Sequence, residues 1–216
     1  CNNMKDNVFF VSGIDTNVGK SYATGYLAKT WNEQGVRTIT QKFIQTGNVG
    51  MSEDIELHRK IMGTGLLPED ESGLTMPEIF TYPCSPHLAA EIDHRPIDFD
   101  KIEKATRQLS ETYDAVLLEG AGGLMVPLTR DLLTIDYVAQ KNYPLIFVTS
   151  GKLGSINHTL LSLEAVTRRG IRLHTVAYNL FPEEDDDIIR RDTEAYISDL
   201  LAKEYPETHF VIVPKL

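Results

Sequence analysis

Three short clusters carry residue types able to bind and move phosphate. The first is Gly13-Ile14-Asp15-Thr16-Asn17-Val18-Gly19-Lys20-Ser21, which follows an apolar run and precedes a helical one. Successive backbone N–H groups of such a loop and the helix N-terminus behind it form an anion site, a lysine there reaches the β and γ phosphates, and the serine hydroxyl can ligate Mg2+. The usual phosphate loop has four residues between its first glycine and Gly-Lys, whereas five separate Gly13 from Gly19. A nucleoside triphosphate is still the natural guest. The second cluster is Glu119-Gly120-Ala121-Gly122-Gly123, a carboxylate and glycine loop at the end of an apolar strand. The third is Lys42, followed by Thr46 and Gly47. A second ammonium beside a transferring phosphate neutralises developing charge; a solvated lysine at a strand end is the plainer alternative. Glu119 with Ser21, and Asp54 with them, offer the hard oxygens that a largely hydrated Mg2+ prefers. Asp54 can equally be an acid in the first turn of a helix, and spacing leaves both readings open.

These residues need a scaffold that delivers them to one edge. Val8 to Ser12, Val36 to Gln41, Ala115 to Leu118, Leu145 to Thr149, His174 to Tyr178 and Phe210 to Val213 read as strands, several apolar on both faces, with Ile79 to Tyr82 a weaker seventh. Phe99, Ile102, Ala105, Leu109 and Tyr113 recur at helical spacing, as do Ile156, Leu160, Leu163 and Val166 before Gly170. The first helix runs through Trp31, read as core packing, and Gly35 closes it. Alternating strands and helices with right-handed crossovers imply an α/β fold: a P-loop NTPase-like three-layer α/β/α sandwich on a mostly parallel sheet of about seven strands. Ligands then sit at the carboxyl ends of the strands.

The length of 216 residues fits a single domain, 1–216, with no repeat or linker. A net charge of −10 disfavours nucleic acid. Two cysteines, Cys1 and Cys84, are too few for a disulfide framework and point to a reducing compartment, the cytoplasm. No apolar run approaches membrane-spanning length and no signal-peptide pattern stands at the start. Glu183 to Asp187 reads as an acidic first turn of the helix that follows. The histidines, His87 and His158 among them, show no metal-ligand spacing and read as packing or hydrogen-bonding residues. Lys152 is a surface lysine or a substrate contact, and Asp136 a cap or salt-bridge partner.

Taken together, Gly13 to Ser21, Lys42 with Thr46-Gly47, Ser85-Pro86-His87, Arg95-Pro96-Ile97, Glu119 to Gly123 and Lys152-Leu-Gly-Ser-Ile-Asn-His158 resemble the dethiobiotin synthetases, from about Phe9 to Pro214. The resemblance implies an ATP-dependent cyclo-ligase of biotin biosynthesis that closes a urea ring on 7,8-diaminononanoate with CO2, through a carbamate and a carbamic-phosphoric anhydride. It implies that Lys20, Lys42 and Thr16 act on carbamate and phosphate, and that Ser21, Asp54 and Glu119 arrange Mg2+. Asn17, Val18, Gly19, Tyr22, Gly120, Ala121 and Gly122 would surround ATP; Asn179 would read the adenine edge with Leu180, Pro214, Lys215 and Leu216 nearby. Thr46 would contact the diamine, and Gly154, Ser155, Ile156 and Asn157 would reach its carboxylate from the partner in a homodimer. Departures are Asn17 where many members carry Glu, Ile14 where Thr is frequent, and Phe43-Ile44 where Pro-Val is common. Charge neutralisation by Lys42 implies that Lys42→Ala stops turnover with the fold intact. The main rival is a partitioning or septum-positioning ATPase, but such proteins usually carry a lysine inside the loop, and Ile14 to Val18 has none. A corrinoid amidoligase would need a glutamine-hydrolysing domain for which this chain has no room, and a binding module would have no use for Lys42.

Overall fold

The computed structural model describes residues 6–181 and 185–215. In chain order the elements are β1 (Val8–Gly13), α1 (Lys20–Glu33), β2 (Thr38–Lys42), β3 (Gln45–Thr46), α2 (Glu53–Met62), α3 (Pro68–Glu71), β4 (Ile79–Phe80), α4 (Pro86–Ile92), α5 (Phe99–Thr112), β5 (Ala115–Glu119), β6 (Pro127–Thr129), β7 (Leu132–Leu133), α6 (Thr134–Lys141), β8 (Leu145–Ser150), α7 (Ser155–Arg168), β9 (Leu173–Asn179), α8 (Asp187–Glu204) and β10 (His209–Val213). Six strands form one sheet in the order β10-β9-β8-β1-β5-β2, every pair parallel.

Strand alternation divides the core. Val8, Phe10, Val116, Leu118, Leu145, Phe147, Val176 and Tyr178 face one side, where Ile102 and Leu109 of α5, Ile135 of α6, Leu163 of α7 and Ile197 of α8 cover them. Val11, Leu117, Ile146, Val148 and Ala177 face the other, against Ala23 and Leu27 of α1, and α2 packs on α1 in turn. Both faces are covered, which is why these strands are apolar throughout.

The sequence places a seventh strand at Ile79 to Tyr82. Ile79–Phe80 is extended, but it pairs with Gln45–Thr46 as a separate two-stranded sheet. Main-chain bonding explains this: Phe43 N–H still reaches Glu119 O (2.9 Å), after which Gln45 N–H turns to Glu78 O (2.9 Å) and leaves the main sheet. The second strand runs Thr38–Lys42, displaced from Val36 to Gln41, because Val36 N–H closes the α1 turn on Trp31 O (2.9 Å). Trp31 is only partly buried and packs on Phe9 (ring centroids 5.1 Å). Of the acidic block, Glu183 and Glu184 lie outside the described residues; Asp186 caps α8 by accepting from Ile188 and Ile189 N–H. No helix among the described residues is long and apolar enough to cross a membrane.

Candidate active site

The C-terminal ends of β1, β2 and β5 meet at a cleft of about 510 Å3. Parallel register fixes its geometry: Lys42 pairs with Glu119 across β2 and β5, and Glu119 lies beside Val11 of β1. Gly19 precedes α1 in the left-handed region (φ 81°), which a glycine adopts without strain, and Lys20 and Ser21 open the helix. Asp54 enters from the first turn of α2, whose start is fixed by Ser52 Oγ accepting from Ile55 N–H (3.1 Å).

Lys42 is buried and serves three acceptors: Asp54 Oδ2 at 2.7 Å, Glu119 Oε2 at 3.0 Å and Gly120 O at 3.1 Å. The geometry therefore decides against a solvated strand-end lysine. Asp54, left open by its spacing, faces the cleft while remaining a first-turn acid. Glu119 is wholly inaccessible (0 %). Its Oε2 also accepts from Ser21 Oγ (3.0 Å), and its Oε1 from Thr24 Oγ1 (2.7 Å), with His58 Nε2 at 3.1 Å. Burial by itself would raise this carboxyl, but Lys42, then His58 and Lys20, hold it well below the ordinary carboxylate range. Burial pulls Lys42 down, and Glu119 and Asp54 outweigh it, raising its pKa. Lys20 goes the other way, pushed down to about 8 by burial and by the Lys42 ammonium against the opposing pull of Glu119, Asp54 and Asp15. A triphosphate would relieve this repulsion between two ammonium groups.

Thr16, Asn17, Gly19, Lys20, Ser21, Tyr22, Lys42, Thr46, Asp54, Glu119, Ala121 and Gly122 line the cleft together. Val18 is turned into the core beside α1, and Gly120 packs on Phe10 while presenting its carbonyl to Lys42. Asn179 ends β9 next to the loop, but its amide donates to Val18 O and Gly19 O (3.1 Å each) and accepts from Phe181 N–H (3.1 Å). Both amide N–H groups thus point to the loop. Leu180 follows it and bonds through its N–H to Val213 O (3.0 Å); Leu180, Pro214 and Lys215 do not line the cleft, and Leu216 lies outside the described residues. Gly154, Ser155, Ile156 and Asn157 start α7 and do not line this chain's own cleft.

The sequence reading gave no site role to Ile44, Gln45, Glu53, Leu57 and Phe181, which line the cleft, or to His58. Phe181 lines the cleft and meets Tyr22 with ring centroids 5.9 Å apart. His58, one of the histidines read as packing or hydrogen-bonding, bonds to Glu119 itself; its place one helical turn after Asp54 was the available signal.

Ser21 Oγ, Asp54 and Glu119 supply only hard oxygens at the phosphate edge, which suits Mg2+. Among the described residues no group of three His, Cys, Asp or Glu side chains is arranged to hold a metal alone, so a cation here would need phosphate and water oxygens as well.

An AAA domain family model matches residues 7–214. The chain is 52% identical over 206 residues to the ATP-dependent dethiobiotin synthetase BioD 2 of Pasteurella multocida, covering 95% of this chain and 96% of the relative. It is 57% identical over 184 residues to the protein of the same name from Haemophilus influenzae, covering 85% and 96%. A MinC:MinD cell division protein complex from Aquifex aeolicus superposes with a TM-score of 0.56 at 12% identity, over 97% of this chain and 82% of that one, a likeness of fold alone. With a phosphate loop, two lysines and two carboxylates converging on one cleft, and with this identity along nearly its whole length, the chain belongs to the ATP-dependent dethiobiotin synthetase family.

Proposed function

We propose that the protein makes dethiobiotin from 7,8-diaminononanoate, CO2 and ATP, releasing ADP and phosphate. The observation that carries this reading is the pairing of Lys42 with Lys20 at the phosphate edge, in a cleft whose reactive atoms are cations and hydrogen-bond donors rather than an activated side-chain nucleophile. Such a site suits a reaction in which the substrates supply the nucleophiles. One amine nitrogen bonds to the carbon of CO2 and loses a proton, giving a carbamate. A carbamate oxygen attacks the γ phosphorus as the bond to ADP breaks. The second amine then attacks the carbonyl carbon, closing the urea ring and expelling phosphate with the carbamate oxygen attached.

In this reading Lys20 and Thr16 hold the phosphates with the backbone through Gly19, and Lys42 neutralises charge on the carbamate and the transferring phosphoryl group. Ser21, Asp54 and Glu119 would hold Mg2+, which when bound withdraws charge from the phosphate oxygens. Thr46 lies on the substrate side. Asn179 reads the adenine edge, and the base rests against Tyr22 and Phe181.

The active unit is a homodimer. Gly154 to Asn157 lie away from their own cleft, and Met125, Leu153 and Leu161 expose 51%, 78% and 60% of their surface. Met125 and Leu161 line a groove of about 570 Å3 between the phosphate loop and α7. Apolar exposure of this kind fits a covered interface, through which the α7 N-terminus reaches the substrate carboxylate of the partner. The whole chain is one domain, and the cytoplasm is its setting.

Incubation with ATP, Mg2+, bicarbonate and the diamine, read by mass spectrometry, tests the assignment. Dethiobiotin that needs all four components supports it. ATP hydrolysis indifferent to the diamine, without dethiobiotin, moves the reading to a switch ATPase.

A further inference from the structure

Behind the residues that line the cleft, a chain of buried side chains ends on Glu119. His58 is completely inaccessible (0 %), with Nε2 3.1 Å from Glu119 Oε1 and Nδ1 2.7 Å from Thr40 Oγ1. Thr40 Oγ1 in turn accepts from Arg59 Nη1 (2.7 Å), and Arg59 is held by Asp70 through Nε and Nη2, both at 2.8 Å. Thr75 Oγ1 donates to the same Asp70 (2.6 Å), while Thr75 O accepts from Lys42 N–H (2.7 Å). The chain thus starts at one catalytic side chain and returns to the main chain of another.

Directionality follows from what each group can do. A guanidinium only donates, so Thr40 Oγ1 must accept from Arg59. The threonine's own proton is then free, and a buried hydroxyl donor left unpaired is costly. His58 Nδ1 is the neighbour able to take it, which requires Nδ1 to be unprotonated and places the ring proton on Nε2, aimed at Glu119 Oε1. With Thr24 Oγ1 donating to that oxygen from the other side (2.7 Å), Oε1 is turned inward and fixed. Oε2 is left as the oxygen that faces Ser21, Lys42 and the cleft.

We propose that His58 is a positioning residue for the divalent-cation site: as an Nε2–H donor whose tautomer Thr40 and Arg59 set, it locks Glu119 so that Oε2 is presented to the cation. This rests on the reading of Ser21, Asp54 and Glu119 as the Mg2+ residues. It extends that reading to a group that touches neither nucleotide nor substrate. Outer partners that orient a metal-binding carboxylate act mainly on metal affinity, and their loss typically costs about 10- to 100-fold.

The test uses two replacements that each keep half of the imidazole's bonding. His58→Gln carries an amide N–H to the position of Nε2. His58→Asn keeps a polar group near Nδ1 but is too short to reach Glu119. Mn2+ binding is titrated by electron paramagnetic resonance in the presence of a non-hydrolysable ATP analogue, with a thermal melt of each variant. The expected result is affinity close to wild type for H58Q and at least about 10-fold weaker for H58N, with both folded. Wild-type affinity in H58N, or an equal loss in both variants, overturns the positioning role. A wild-type protein that binds no Mn2+ with the analogue instead overturns the metal reading beneath it. The 15N spectrum of the wild-type imidazole is a check that no folding defect can obscure: a proton on Nε2 is expected, and a proton on Nδ1 removes the mechanism.

Discussion

Replacing Lys42 with methionine keeps most of the side-chain volume and deletes one charge. The ammonium it removes lies 2.7 Å from Asp54 and 3.0 Å from Glu119, and Glu119 has no access to water. Stranding a buried charge by removing its partner costs about 3–5 kcal/mol. Because Glu119 keeps Ser21, Thr24 and His58, the expected loss lies at the lower end, about 3 kcal/mol. The intact fold implied for Lys42→Ala by the sequence alone thus comes with a marked loss of stability, because the lysine is a structural counter-charge as well as the proposed catalytic one. Adding Glu119→Gln removes the stranded charge, so the double variant should recover about 2 kcal/mol of the loss. Catalysis should not recover: a preorganised electrostatic donor is worth about 10²- to 10³-fold in kcat, and both variants lack it. Urea unfolding of wild type, both single variants and the double variant gives the stability cycle, and single-turnover kinetics gives the chemistry. A double variant no more stable than Lys42→Met would refute the pairing argument. A Lys42→Met enzyme within a few-fold of wild-type turnover would remove Lys42 from the mechanism.

Three further outcomes are expected. Gly120→Ala places a methyl group 2.8 Å from Phe10 Cζ, an overpacking that should cost about 1–3 kcal/mol in urea unfolding; an unchanged midpoint would mean the ring moves freely. His174 packs among Phe9, Trp31 and His209, and burial, then His209 and Arg172, lower its pKa from 6.5 to about 4. Between those two values the unfolded chain takes up a proton that the folded one refuses, so stability should fall as pH drops from about 6.5 towards 4. His174→Gln should flatten the decline, and an equally steep decline in the variant would exclude His174 as its source. Leu161→Arg, at a residue 60% exposed beside the groove, should shift sedimentation from dimer to monomer and raise the KM for the diamine without unfolding the chain. A variant that stays dimeric with an unchanged KM places the interface elsewhere.

Much of the site was legible because parallel strands put function at their carboxyl ends. Glu119 directly follows an apolar run, Lys42 ends a β-rich one, and Lys20 heads the helix after the glycine loop that leaves the first strand, so strand boundaries and the loop pattern sufficed to gather them. Asp54 was ambiguous because an acid that stabilises a helix start and one that faces a ligand occupy the same first turn. His58 was read as a packing or hydrogen-bonding residue, which it is, but its partner Glu119 was not legible because a buried histidine leaves no mark on the apolar pattern; only its i, i+4 relation to Asp54 hints at a shared face. The strand at Ile79–Phe80 was recognised, but its partner was not: two residues cannot signal which edge they join, and Gln45–Thr46 lacks the apolar run that would have announced it. The hairpin of Pro127–Thr129 and Leu132–Leu133 is likewise too short for alternation to show. Asn179 was located correctly at the end of β9, yet its hydrogen bonds depend on a loop more than 150 residues earlier in the chain.

The central claim is that substrate-borne groups carry the bonds while lysines and backbone neutralise charge. Turnover of freshly dissolved [18O]bicarbonate with ATP, Mg2+ and 7,8-diaminononanoate in ordinary water tests it most directly. The expected result is one 18O in the released phosphate and one in the urea carbonyl of dethiobiotin for each ADP formed. Phosphate that takes its new oxygen from water would contradict the account.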